Sequence, residues 1–96
     1  MKESAIEKRF VQDLKALGCL AYKFVSPGND GVPDRIVITP SGKVHFVELK
    51  TEAGKLSPVQ KVQIGRLKER GASVRVVYGV QGVREFVEDV KHEKDV

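Results

Sequence analysis

Two apolar runs joined by a tight turn constrain the fold of this chain more than any other feature. Ile36-Val37-Ile38 and Val44-His45-Phe46-Val47 are rich in β-branched and aromatic residues and are separated by Thr39-Pro40-Ser41-Gly42. Proline and glycine stand where a type I turn ending in a glycine bulge needs them, so the pattern predicts a β-hairpin. A three-residue loop of Pro40, Ser41 and Gly42 pairs Thr39 with Lys43. Counting outward on both strands then sets Asp34 opposite Glu48.

That register has a chemical consequence. Directly opposed residues of antiparallel strands are close enough for like charges to destabilise one another, so positive charge is required nearby. Side chains alternate along a strand, which sends Lys50 to the same face as Glu48 and Leu49 through the sheet to the other layer. Two carboxylates on a short rigid hairpin suit a hard divalent cation such as Mg²⁺, which takes one or two protein carboxylates and completes its shell with water and substrate oxygens. An adjacent ammonium can orient a water and offset charge on a phosphate under attack. Asp34, Glu48 and Lys50 are therefore candidates for metal-dependent phosphodiester hydrolysis.

The rest of the chain reads as support. Ser4-Ala5-Ile6-Glu7 has the form of a capping box, Ile6, Phe10, Leu14 and Leu17 form a stripe, and Gly18 ends the helix. Glu7 either folds back on Ser4 or, from its place beside Phe10 and Leu14, reaches the acidic pair. Lys8, Arg9, Gln12 and Lys15 form a charged outer face. Cys19 to Val25 reads as a strand, and Ser26 to Pro33 as a loop dense in turn formers, expected to be the most mobile segment, with Gly28 and Gly31 allowing close approach to a phosphate.

Past the hairpin, Ser57-Pro58-Val59-Gln60 begins a second helix with a capping serine, proline in the first turn and glutamine at the box position. This helix runs to about Arg70 and stops at Gly71. Gln60 is either a capping partner or an amide carrying a hydrogen bond to Lys50 or to the attacking water. Ser73 to Tyr78 reads as a fourth strand, reached through a parallel crossover. Val83, Phe86, Val87 and Val90 mark a last amphipathic helix before a polar tail from His92 to Val96. His45 faces away from Glu48 by alternation.

Length and charge bound the class. The 96 residues suffice for a single domain over 1–96. With one cysteine, Cys19, neither an intrachain disulfide nor a cysteine-rich zinc site can form. No apolar run is long enough to span a membrane and no secretory signal is present, so a soluble cytoplasmic protein is expected. The net charge is +4, and residues 1–83 hold fourteen Lys and Arg against eight Asp and Glu. A basic body points to a polyanionic partner.

The order of helix, three strands, helix and strand, with Pro33-Asp34 before one hairpin strand and Glu48-Leu49-Lys50 ending the other, resembles the restriction-endonuclease-like PD-(D/E)xK nucleases. Glu7, Gly31-Val32-Pro33-Asp34, Glu48-Leu49-Lys50-Thr51 and Leu56-Ser57-Pro58-Val59-Gln60 together resemble the virus-type replication-repair nuclease (VRR-NUC) domain, over roughly residues 4 to 80. The resemblance implies an α/β fold with an αβββαβ core, a mixed four-stranded sheet flanked by helices, and here an extra C-terminal helix. It implies that Asp34, Glu48 and the Leu49 backbone carbonyl hold Mg²⁺ or Mn²⁺, with Glu7 reaching the metal from the first helix. Lys50 would serve the attacking water and Gln60 the substrate or Lys50.

Standalone members of this type are mostly phage or bacterial, which implies a bacterial cell or a phage-infected host. They resemble Holliday-junction resolvases, which implies a homodimer acting on branched DNA. A flap or nicking nuclease, and an inert basic DNA-binding module, are the rival functions.

Overall fold

A computed structural model describes residues 2–92; the tail from residue 93 onward lies outside the described residues. The chain folds as α1 (Glu3–Ala16), β1 (Leu20–Lys23), β2 (Arg35–Ile38), β3 (Val44–Lys50), α2 (Pro58–Glu69), β4 (Ser73–Tyr78) and α3 (Gly79–Lys91). The four strands form one mixed sheet in the order β1-β2-β3-β4, antiparallel except for the parallel β3–β4 pair. This is the architecture expected from the sequence.

The hairpin turn fixes the register. The Gly42 N–H donates to the Thr39 carbonyl at 2.9 Å, and the Thr39 N–H donates to the Lys43 carbonyl at 2.9 Å. Gly42 has φ 89°, the left-handed geometry that closes such a bulge. The ladder that follows pairs Ile38 with Val44 and Arg35 with Val47. One step further, where Arg35 gives way to Asp34, stands Glu48.

Alternation divides the sheet into two faces. Val37, Val47, Leu49 and Val77 face α1 and α3, and with Ile6, Phe10, Leu14, Val83 and Phe86 they form the buried core. The rings of Phe10 and Phe86 stack at 5.7 Å between centroids and tie the two helices together. His45 lies on this core face, buried, with Nδ1 2.7 Å from the Ser73 hydroxyl and its ring edge-on to Phe86. On the other face α2 covers the β3–β4 end through the buried Ile64.

Three local expectations are corrected. Helix α1 starts at Glu3 with Lys2 as N-cap and no side-chain cap, because the Lys2 carbonyl already takes the N–H groups of Ala5 and Ile6. Ser4 is thus inside the helix, and the Ser4–Glu7 capping box does not form. Strand β1 is shorter than Cys19 to Val25, since its pairing ends at Lys23 opposite Arg35. Gly31 makes its close approach to protein: at φ 87°, a Cβ there would lie 2.7 Å from the Val59 carbonyl oxygen.

The Gly31 contact ties the 26–33 loop to the first turn of α2. Gly28 has a similar φ, 81°, but open space around it. Gly31→Ala is therefore expected to destabilise the fold by about 3 kcal/mol or more, combining left-handed strain with a backbone clash, and Gly28→Ala by only about 1–2 kcal/mol. Chemical denaturation of the two variants side by side checks the difference; equal losses would show that Gly31 does not hold the loop.

Candidate active site

The site lies at the open end of the hairpin, one residue before β2 begins and where β3 is still running. Asp34 and Glu48 continue the register as a non-hydrogen-bonded pair, the type in which Cα atoms are typically about 4.5 Å apart and side chains are closest. Asp34 is anchored from both strands beside it. Its carbonyl accepts the Phe24 N–H at 2.9 Å and its Oδ1 accepts the Leu49 N–H at 3.1 Å. In an extended strand the N–H and C=O of one residue leave the same edge, so the Leu49 carbonyl also opens toward Asp34.

Glu48 is almost completely buried, at 6% exposure, and one of its oxygens faces both an ammonium and an amide. Lys50 Nζ stands 3.8 Å from Glu48 Oε2, on the same face as alternation requires. Gln60 Nε2 donates to that oxygen at 3.3 Å. The other end of the same amide completes the α2 capping box, accepting the Ser57 N–H at 2.9 Å, while Ser57 Oγ accepts the Gln60 N–H at 3.2 Å. Gln60 thus fills the capping role through its amide oxygen and donates from its amide nitrogen to Glu48, a partner the sequence did not indicate.

The electrostatics of the pair are unfavourable as they stand. Burial, followed by the charge of Asp34, pushes the Glu48 carboxyl up to about 7 against the partial offset of Lys50. Burial also raises the Asp34 carboxyl, with a smaller contribution from Glu7, against the Leu49 N–H and Arg35. Two hard oxygen donors that are desolvated, mutually repelled and short of positive charge form a donor set that suits a divalent cation.

Glu7 is brought beside this pair without joining it. Its Oε1 accepts from Arg35 Nη2 at 3.0 Å, and among the described residues no three His, Cys, Asp or Glu side chains gather into a metal-holding group. Arg35 is the residue that sequence reasoning missed. By alternation it faces the core with Val37, Val47 and Leu49, and a buried guanidinium demands a carboxylate partner. Glu7, bordering the α1 stripe, is that partner. Arg35 Nε is buried and without a hydrogen bond.

The raised Glu48 carboxyl sets a pH dependence for the metal-free protein. The folded state holds a proton that the unfolded state has released from about 4.5 upward, so stability falls as pH rises from 4.5 to about 7 and levels off above. Glu48→Gln is expected to remove much of this slope. Thermal midpoints in chelator across that range check it; an identical slope in the variant would refute the assignment.

Comparison with known proteins agrees with this geometry. The VRR-NUC domain model matches residues 2–81. A protein of Acyrthosiphon pisum secondary endosymbiont phage 1, named "Putative nuclease p44", is 46% identical over 77 residues, covering 80% of this chain and 83% of that protein. A solved VRR-NUC domain superposes with a TM-score of 0.84 at 37% identity, covering 90% of this chain and 94% of the other. A second solved VRR-NUC domain protein, at 16% identity and a TM-score of 0.76, shares the fold across 99% of this chain. With the model match spanning the first helix, the hairpin and α2, this chain belongs to the VRR-NUC family of nuclease domains.

Proposed function

We propose that this nuclease domain is a metal-dependent, structure-selective DNA endonuclease that acts as a homodimer on branched DNA such as four-way junctions. The observation that carries the reading is the in-register pair of carboxylates, half-buried Asp34 and buried Glu48, with the Lys50 ammonium 3.8 Å from Glu48. Asp34, Glu48 and the Leu49 carbonyl would hold Mg²⁺ or Mn²⁺, with Glu7 contributing from α1. The bound cation would supply Lewis acidity toward the scissile phosphate and lower the pKa of a coordinated water.

The protein's own groups do the positioning. The Leu49 N–H fixes the Asp34 carboxylate, and Gln60 fixes the Glu48 carboxylate through an amide that is itself clamped by the α2 capping box. Lys50, with 18% of its side chain exposed, presents its ammonium where water and substrate meet the pair, orienting the nucleophile and offsetting charge that builds on the phosphate. The sequence charge of +4 favours a polyanionic substrate, and among the described residues no helix is long and apolar enough to cross a membrane.

A homodimer is supported by the sheet face opposite α1 and α3. Leu20 and Tyr22 of β1 and Val44 of β3 lie there with 48%, 55% and 42% of their surface exposed, apolar area that a second copy would cover. Two identical sites related by a two-fold axis match the symmetry of a four-way junction.

The test is cleavage of labelled four-way junction, flap and blunt duplex side by side in Mn²⁺, with light scattering to give the mass in solution. Paired symmetric cuts in the junction by a dimer are expected. Lys50→Ala should reduce the rate on the order of 10²-fold or more while keeping the metal-induced rise in thermal midpoint, and Asp34→Asn should lose both. Cutting of flap or duplex alone would overturn the substrate, and no cutting by wild type would overturn the activity.

A further inference from the structure

Strands β3 and β4 run in parallel and end together, so Lys50 pairs with Tyr78. Partners in register project from the same face, and Tyr78 is therefore the β4 neighbour of Lys50 on the face of the candidate site. It is 41% exposed, at the end of a strand whose Val74 and Val77 are buried. Beside it opens a hollow of about 350 Å³ lined by Gly54, Lys55, Leu56, Lys61 and Tyr78. This is within the range of small-ligand sites, about 300–1,000 Å³.

The hollow is continuous with the site. Gly54, on its wall, packs so closely on Lys50 that an added Cβ would lie 3.1 Å from the Lys50 Cβ. The connector between β3 and α2 thus runs close to the stem of Lys50 and brings Lys55 to the hollow. Lys61 comes from the first turns of α2, one residue after the Gln60 that holds Glu48. Both lysines are exposed, and among the described residues neither makes an ion pair. An exposed ring sharing one hollow with two exposed lysines suits a nucleotide: the ring offers a surface for a base, and the ammonium groups take phosphates.

We propose that this hollow is the subsite for the nucleotide flanking the scissile phosphate, with Tyr78 stacking on an unpaired base and Lys55 and Lys61 holding the backbone phosphates. A base inside a duplex has both faces covered by its neighbours, so a single ring at the edge of the site selects DNA with a single-stranded or unstacked element. Tyr78 is then the residue that gives the domain its preference for branched over continuous duplex. This inference rests on the nuclease reading above.

The experiment measures binding of a fork with one single-stranded arm and of blunt duplex by fluorescence anisotropy, in the Lys50→Ala background and without Mg²⁺ or Mn²⁺. Tyr78→Ala is expected to lower the fork-to-duplex affinity ratio by about 5-fold to 100-fold, the value of one stacked base, whereas Tyr78→Phe keeps it. Tyr78→Leu, which keeps apolar bulk without a ring, should behave as Tyr78→Ala and guards against a folding defect. Lys55→Ala and Lys61→Ala should each reduce the salt dependence of binding by about one phosphate contact. An unchanged ratio in Tyr78→Ala, or equal losses on fork and duplex, overturns the inference. Wild-type cleavage run in parallel separates the two readings: cutting with an unchanged ratio sinks the subsite alone, and no cutting sinks the nuclease reading.

Discussion

The register of the β2–β3 hairpin is the constraint on which the site depends. A side chain changes face with every residue, so slipping the turn by one position would send Glu48 and Lys50 into the core and bring Leu49 out. The loop of Pro40, Ser41 and Gly42 prevents this through two backbone hydrogen bonds, backed by the Lys43 N–H donating to the Thr39 hydroxyl at 3.1 Å. The core provides a second check. Val37, Val47 and Leu49 can all be buried against α1 and α3 in one register only, and it is the register that opposes Asp34 to Glu48.

Opposing two carboxylates is unfavourable for folding, and the structure distributes the compensation unevenly. Glu48 receives an ammonium and an amide, Asp34 receives a backbone N–H, and both remain raised. The neighbouring carboxylate is treated differently: Glu7 has a full guanidinium partner in Arg35, at 3.0 Å. The uncompensated charge is thereby confined to the two residues at the hairpin end, as expected of a site whose remaining counter-charge arrives with a ligand. The clamp on Gln60 extends this logic into α2, where one amide caps a helix and orients a carboxylate.

The legible parts of the sequence were those with local causes. The hairpin turn, the Ser57 capping box, the Gly71 stop and the apolar run of β4 are each encoded within a few residues, and each appears where the pattern placed it. The unread parts depend on partners distant in sequence. Ser4 and Glu7 fit a capping box, but Arg35, far along the chain, is the partner that takes the Glu7 carboxylate, while the helix begins two residues earlier on the Lys2 carbonyl. Gly31 had the composition of an open phosphate-binding loop and is spent on contact with Val59. Tyr78 looked like the end of an ordinary strand until the parallel pairing set it beside Lys50.

The central claim is that the hairpin holds Asp34 and Glu48 together in order to bind a divalent cation. Anomalous diffraction from crystals soaked in Mn²⁺ tests it most directly. The account predicts an anomalous peak bounded by the Asp34 and Glu48 carboxylates and the Leu49 carbonyl, absent from Asp34→Asn crystals grown and soaked in the same way. No peak at that position in wild type, or a peak that persists in the variant, would contradict it.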